Sequence, residues 1–357
     1  EDFRQDPMIL DANKGIELIL SEMNSIMNDL PASGPAYVAN QDAARVLMMK
    51  SYLNRGTFIN PESPSFPAED MNKVIEIADQ IEGYTISPPL KYFDNFAPDN
   101  DEKSTENIFT LFNQEGGRGG SVGNTYNTIA HYNMNPGGWN GWATLGSFYD
   151  KFSEGDERLG FFYDYPAFDK PNPAEAKTVG FLIGQQYNLT TGEPLFARNP
   201  SNQPLEFTHD ITIRTAGNTL ETAGIRVLKY PYDYASSTGQ KNNDWVVYRY
   251  ADVLLMKAEA ILRGGNGTED EALAIVNNIR NNRGAEELTS LDLDEMLDER
   301  GRELYWEGWR RQDLIRFGKF LGTWETKPDP GDPRELRYAI PSQQLAVNPN
   351  LTQNPGY

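Results

Sequence analysis

Apolar residues return at every third or fourth position from Trp245 to a Gly264-Gly265 stop, and again through Ala272, Leu273, Val276 and Ile279. That is the period of one apolar stripe on a helix, and two such stripes joined by a short Gly-Asn-Gly turn close on each other as a helical hairpin. Thr268 and Glu271 stand at the spacing of a capping box, in which each side chain satisfies the other's backbone N–H. A third helix is expected from Asp292 through Met296, Leu297 and Leu304, with Trp245 packed at the start of the first. Along the third, Glu299 can meet Arg302, Glu303 can meet Arg300, and Glu307 can meet Arg310 or Arg311. Beside Trp306 and Trp309 this alternation predicts a fold-stabilising ion network partly shielded from water.

The N-terminal end has the same texture. Ile16, Ile19, Leu20, Met23, Ile26 and Met27 form one stripe, ended by Gly34-Pro35. Asn40 is a fitting N-cap for a second helix carrying Ala43, Ala44, Leu47 and Met48, stopped near Asn54-Arg-Gly56. A third follows from about Pro67, with Met71, Val74, Ile75, Ala78 and Ile81 on one face. Between Tyr84 and Asp244 glycine, proline, asparagine and aromatics are interspersed, and only Ile211-Thr-Ile213 and Ile225-Arg-Val-Leu228 look like strands. The expected fold is therefore mainly α: one domain over 1–357, with helical scaffold at 1–83 and 245–357 and a loop-rich, ligand-binding region at 84–244. The proline-rich tail after Pro328 reads as a surface strap.

A chain of 357 residues can bury a substantial core without staples, and having no cysteine it forms no disulfide and uses no thiolate. The formal charge of -20 opposes binding to nucleic acid or to anionic lipid through the general field. No stretch approaches the roughly 20 apolar residues of a membrane span.

Chemical signals in this sequence mostly dissolve on weighing. The Gly119-Gly-Ser-Val-Gly123 match to a nucleophile elbow lacks the preceding strand and following helix, so Ser121 reads as part of a glycine loop. His131 and His209 are too isolated for a metal cluster. Asp99-Asn-Asp101 and Asp329-Pro-Gly-Asp332 do not follow the calcium loop and read as turn residues. There is no P-loop or dinucleotide fingerprint, and neither a cofactor nor a metal is expected.

The positive signal lies between Gly116 and Tyr149, where Tyr126, Tyr132, Trp139 and Trp142 sit among Asn124, Asn133 and many glycines. Sugar rings offer apolar C–H faces to flat aromatics and a belt of hydroxyls to amides, so this mixture suits a glycan. Two roles stay open for Trp139 and Trp142: plugging a loop into the core, or facing a ligand. Phe148-Tyr149, Phe161-Phe162-Tyr163 and Tyr165 flank the region, at least half of them as core.

Five ordered motifs resemble those of the SusD/RagB family of Bacteroidetes surface glycan-binding lipoproteins. They are Tyr248-Arg-Tyr-Ala-Asp-Val-Leu-Leu-Met-Lys-Ala-Glu-Ala260, Asn277-Asn-Ile-Arg280, the run from Glu299 to Gly318, Ile340-Pro341, and Gln353-Asn-Pro-Gly-Tyr357. Asp156-Glu-Arg158, Glu106-Asn-Ile-Phe109 and Asp42-Ala-Ala-Arg45 extend the likeness backwards. The resemblance implies tetratricopeptide-like hairpins and non-catalytic capture of a polysaccharide or oligosaccharide at the outer face of the outer membrane. It also implies delivery to a SusC-like TonB-dependent transporter. Family members ordinarily carry a signal peptide, a lipid-modified N-terminal cysteine and a further helical segment, so an N-terminally truncated form is expected, with membrane attachment only through an anchor outside this sequence. Two alternatives stand beside this reading: a glycoside hydrolase working through two carboxylates, and a helical-repeat interaction scaffold.

Overall fold

A computed structural model describes residues 8–117, 122–163, 176–188, 191–211, 220–236 and 241–357, without the side chains of 122 and 124. Ser121, Tyr165 and all of the expected strand at 211–213 beyond Ile211 lie outside these residues. The described chain is mainly helical.

Three helices open it: α1 (Ala12–Ile26), α2 (Gln41–Ile59) and α3 (Ala68–Ala78). Asn40 caps α2 by accepting from the Ala43 N–H at 2.9 Å. The α1 stripe is only half used. Ile16 and Leu20 are buried and Met23 and Met27 pack on the core, but Ile19 and Ile26 are exposed, because α1 rests chiefly on one neighbouring helix, α2.

The middle region begins with a short α4 (Asn100–Lys103), β1 (Asn107–Leu111), α5 (Val122–Ile129) and α6 (Gly146–Tyr149). It continues through β2 (Gly180–Leu182), β3 (Gly184–Gln185), β4 (Glu206–Phe207) and β5 (Arg226–Leu228). Strands pair two by two, β2 with β5 and β3 with β4, both antiparallel. The expected strand around Ile225–Leu228 is β5.

The C-terminal part differs from the sequence reading at its start. Trp245 does not open a helix: Trp245–Arg249 is strand β6, antiparallel to β1, and α7 begins at Tyr250 and runs to Leu262. A run of Trp, Val, Val and Tyr favours a pleated surface, and β1 supplies the partner that no periodicity count reveals. Then come α8 (Glu269–Asn282), α9 (Leu293–Leu304), α10 (Arg310–Arg316) and α11 (Ser342–Val347). The Thr268–Glu271 capping box is formed.

Both helical ends build one core. Val46, Met49, Leu53, Met71 and Val74 from α2 and α3 pack with Leu255, Met256, Val276, Ile279 and Met296 from α7, α8 and α9. A second cluster, rich in Tyr92, Phe93, Phe96, Phe181 and Tyr305, lies under the middle region.

Between the two clusters sits a buried ionic network, less local than its spacing suggests. Glu299 does meet Arg302, at 2.7 Å. Glu303 instead pairs with Arg158, Arg249 and Arg283 at 2.6–3.0 Å, and Glu307 with Arg249 and Lys229. Arg300 reaches Asp252 and Asp313, and Arg310 reaches Asp298 and the Leu297 carbonyl. The helix-spacing pairs Glu303–Arg300 and Glu307–Arg310/Arg311 are absent among the described contacts, because both glutamates turn inward toward arginines from distant segments. Burial raises the Glu299 pKa, but Arg158, Arg302 and Arg280 outweigh it and hold the carboxyl down at about 2. Removing one member leaves an uncompensated buried charge, so the network fixes the geometry of the surface above it.

Candidate functional site

That surface is shaped by two loops. The first, residues 136–143, lies close against α5: a Cβ on Gly138 would stand 2.5 Å from the Asn127 and Ala130 carbonyls, and one on Gly141 3.1 Å from Thr128. Only glycines allow that approach. Buried Arg226 pins the loop from below, donating from Nε and Nη2 to Asn140 Oδ1 at 3.0 and 2.8 Å and from Nη1 to the Ala223 and Gly224 carbonyls. Beyond it, Gly146 lies flat against the His209 ring, which bridges Asp150 and Asp210 at 2.8 Å each.

The second loop follows α9. Tyr305 is buried and its hydroxyl donates to the Arg158 carbonyl at 3.0 Å. Lys229 Nζ donates to the Glu303 and Tyr305 carbonyls at 3.0 and 2.8 Å, satisfying groups that a helix end leaves unpaired. Trp306 then takes a left-handed backbone, φ 58°, rare for a bulky side chain and sustained here by the anchored residues on either side. The turn carries its indole to within 5.7 Å of the Trp142 indole, the two planes inclined at 51°.

Beside the second loop, and starting just past the first at Thr144, runs a groove of about 730 Å³ lined by Phe148, Tyr305, Trp306, Arg310, Trp324 and Glu325, among others. Trp324 is set in a tight turn whose backbone exchanges hydrogen bonds with Lys327 at 2.8 and 2.9 Å. Glu325 accepts from the Ser147 N–H at 3.1 Å and ties the far wall to α6. An adjoining depression of about 300 Å³ shares Lys151, Arg310, Leu314, Thr323 and Trp324 and adds Asp294, Asp298 and Lys319. Flat apolar faces with charged and hydroxyl groups at their edges can stack on sugar rings and bond their hydroxyls.

The residues singled out from sequence separate into three groups. Trp142, 54% exposed, flanks the groove through Trp306, and Trp139, 60% exposed, projects from the same loop. Tyr132 and Asn133 form a different patch, where the Arg198 guanidinium covers the tyrosine ring at 4.5 Å and Asn133 Nδ2 donates to the Phe196 carbonyl at 2.7 Å. Tyr126 must be withdrawn as a ligand contact. It is 5% exposed, its ring lies 4.1 Å from Tyr232, and its hydroxyl donates to the Pro136 carbonyl. Its side of α5 faces β5 and packs in a cluster with Ile129, Leu182, Leu205, Phe207 and Leu228, so it is core. The Asn124 side chain lies outside the described residues.

Trp306 and Trp324 were not among the sequence candidates. Trp306 was hidden by the helical pattern around it, and it stands half-buried, packed on the core on one side and lining the groove on the other. Trp324 had a readable signal, a tryptophan in a glycine-flanked loop, the same signal that marked Trp142.

His131 is buried. Its Nδ1 accepts the Asn133 N–H at 3.0 Å, so its Nε2 faces Glu221 at 3.2 Å as the donor. Asp99 pairs with Lys103 and Asp332 caps the turn at Pro333–Leu336. Among the described residues no cluster of histidine and carboxylates fits a metal ion, and no helix is long and apolar enough to cross a membrane.

The SusD family profile matches residues 90–357. Over 386 residues the chain is 26% identical to the starch-binding protein SusD of Bacteroides thetaiotaomicron, an alignment covering 96% of this chain and 66% of that protein. This chain therefore spans just under two thirds of that relative. A SusD superfamily protein from Parabacteroides distasonis superposes with a TM-score of 0.65 at 21% identity, over 96% of this chain and 68% of the other. Surface glycan-binding protein A from Bacteroides thetaiotaomicron, crystallised in complex with laminarihexaose, superposes with a TM-score of 0.63 at 19% identity, over 95% of this chain and 70% of the other. At such identities these two likenesses establish the fold.

Proposed function

The chain belongs to the SusD family, and from that premise we propose that it captures an oligosaccharide or polysaccharide, without cleaving it, in the groove flanked by Trp142 and lined by Trp306 and Trp324. The observation that supports this most is the pair of tryptophans from two separately anchored loops, brought 5.7 Å apart, with Trp142 exposed and Trp306 half-buried in the groove wall. Large aromatics held open in a rigid frame lose little conformational freedom on binding. The relatives fit: one is named for starch binding, and another was crystallised with a glucan hexamer.

Capture is favoured over hydrolysis by the state of the groove carboxylates. Asp294 and Asp298 each hold a lysine, and Glu325 accepts a backbone N–H, so each already has a partner in the groove wall. In the cell we place the protein at the outer face of the bacterial outer membrane, lipid-anchored in the full-length precursor, passing glycan to a SusC-like TonB-dependent transporter. The helical scaffold would dock the transporter while the loops hold the sugar.

The test is retention on gels containing neutral polysaccharides, with W142A and W324A as surface variants that spare the core. Loss of a stacking platform at the centre of a binding site costs about 2 kcal/mol, roughly 30-fold in affinity. Unchanged retention in both variants moves the function off this groove, and release of new reducing ends by the wild-type protein replaces capture with hydrolysis.

A further inference from the structure

Among the described residues, every cation lining the groove and its adjoining depression already has a carboxylate. Lys151 Nζ stands 2.5 Å from Asp298 Oδ2, Arg310 Nη2 stands 3.7 Å from Asp298 Oδ1, and Lys319 Nζ stands 2.9 Å from Asp294 Oδ1. Arg310 also spends Nη1 on the Leu297 carbonyl at 2.6 Å. Glu325 completes the lining charges among the described residues, so three cations face three carboxylates and this lining is formally neutral, within a chain of formal charge -20.

We propose that this trough, taken as the glycan site argued above, selects uncharged sugars, and that the depression past Trp324 is an additional subsite for them. A uronate or sulfate would have to displace Asp298 from Lys151 and Arg310, or Asp294 from Lys319, and would meet those carboxylates as like charges. A hydroxyl has no such competitor. Lysine has three donors and a carboxylate about four acceptor positions, so each ion pair keeps capacity for a hydroxyl while remaining paired. The charge of the whole chain acts in the same direction, since its field repels a polyanion during approach. The subsite is continuous with the tryptophan groove through Trp324, Thr323 and Arg310, so a longer oligomer reaches it without leaving the platform.

The experiment uses the whole chain against neutral hexasaccharides (malto-, cello- and laminarihexaose), their trisaccharides, and a galacturonate hexamer, at about 50 mM and about 500 mM salt, where screening differs several-fold. At least one neutral hexamer is expected to bind with a Kd that changes less than about twofold with salt, and more tightly than its trimer. The galacturonate hexamer is expected not to bind. D294N, at a 71% exposed side chain, releases Lys319 and should create weak, salt-sensitive galacturonate binding. Galacturonate binding by the wild type that W324A abolishes overturns the charge inference and leaves the groove in place. Neutral binding that neither W142A nor W324A weakens overturns the groove itself, and equal affinity for trimer and hexamer overturns the added subsite.

Discussion

Lys229→Met probes the link between the buried network and the binding surface. The ammonium donates to the Glu303 carbonyl, the Tyr305 carbonyl and, at 2.5 Å, Glu307 Oε1, and it lies 4.0 Å from the Tyr305 ring centroid and 4.8 Å from that of Phe96. Not all of these partners are stranded when it goes. Glu307 keeps Arg249 through Nε at 2.9 Å and Nη2 at 2.8 Å, and the Glu303 carbonyl keeps the Tyr92 hydroxyl at 2.7 Å and Arg249 Nη2 at 2.6 Å. The group left alone is the Tyr305 carbonyl, at about 1–3 kcal/mol for a buried unsatisfied acceptor. The ~3–5 kcal/mol cost of a fully broken buried pair does not apply, because no lone charge remains. Methionine also removes a cation that is costly to bury. Burial pulls the Lys229 pKa down to about 7, more than Glu307 and Glu303 push it up. The expected net loss is about 1–3 kcal/mol in denaturant midpoints at constant m. Retention of glycan should fall further, by roughly tenfold in native buffer, because the Tyr305 carbonyl leads directly into the Trp306 turn. Lys50→Met is the control. Lys50 pairs with Asp252, which keeps Arg300 at 3.0 Å, and lies 3.5 Å from the Trp309 ring centroid, so its loss should cost stability and none of the retention. If K229M is as stable as the wild type, or if K50M weakens retention equally, the proposed coupling from network to platform is wrong.

The two imidazoles should titrate apart, which single-histidine variants and NMR can assign. Burial holds His131 below its ordinary pKa against the opposing pull of Glu221, so its contribution to stability is full above pH ~6.5 and is lost as pH falls through that value toward the lower folded one. Hydrogen bonds donated to Asp210 and Asp150 raise the His209 pKa, so any stability it adds is present below pH ~6.5 and is lost as pH rises through its higher folded pKa. The reverse order of titration would contradict both environments. Gly301→Ala should weaken glycan retention with little change in stability. Its Cβ would meet Arg310 Nη1 at 2.7 Å and Phe148 Cε2 at 3.3 Å, pushing both into the groove, while the gain of about 1 kcal/mol from alanine in a helix offsets the crowding. Unchanged binding by G301A would falsify the assignment of Phe148 and Arg310 to the binding wall.

Much of the scaffold was legible because its determinants are local. Asn40 and the Thr268–Glu271 box are side chains acting on backbone three residues away, and they stand where the sequence placed them. What failed depended on partners far along the chain. Trp245–Arg249 has apolar residues in a pattern that serves helix or strand, and β1, over 130 residues earlier, decides for strand. The charged run from Glu299 has perfectly good helical spacings, yet Arg158, Arg249 and Arg283 outcompete the local arginines because they arrive from the core side of α9, where the glutamates point.

The same distinction explains the site. Composition marked the 116–149 segment as aromatic and loop-forming but carried no sign of which ring faces inward, so Tyr126, on the side of a helix packed against β5, looked no different from Trp142, on a glycine-supported loop. Trp306 reaches the groove wall through one backbone rotation after α9, and that rotation is sustained by Lys229 and Arg158, residues whose role is invisible until the fold brings them under the turn. The proposed platform, built from loops, therefore has its orientation encoded in the buried charges beneath it. Variants of those charges, more than of the aromatics themselves, should separate how the surface is held from what it holds.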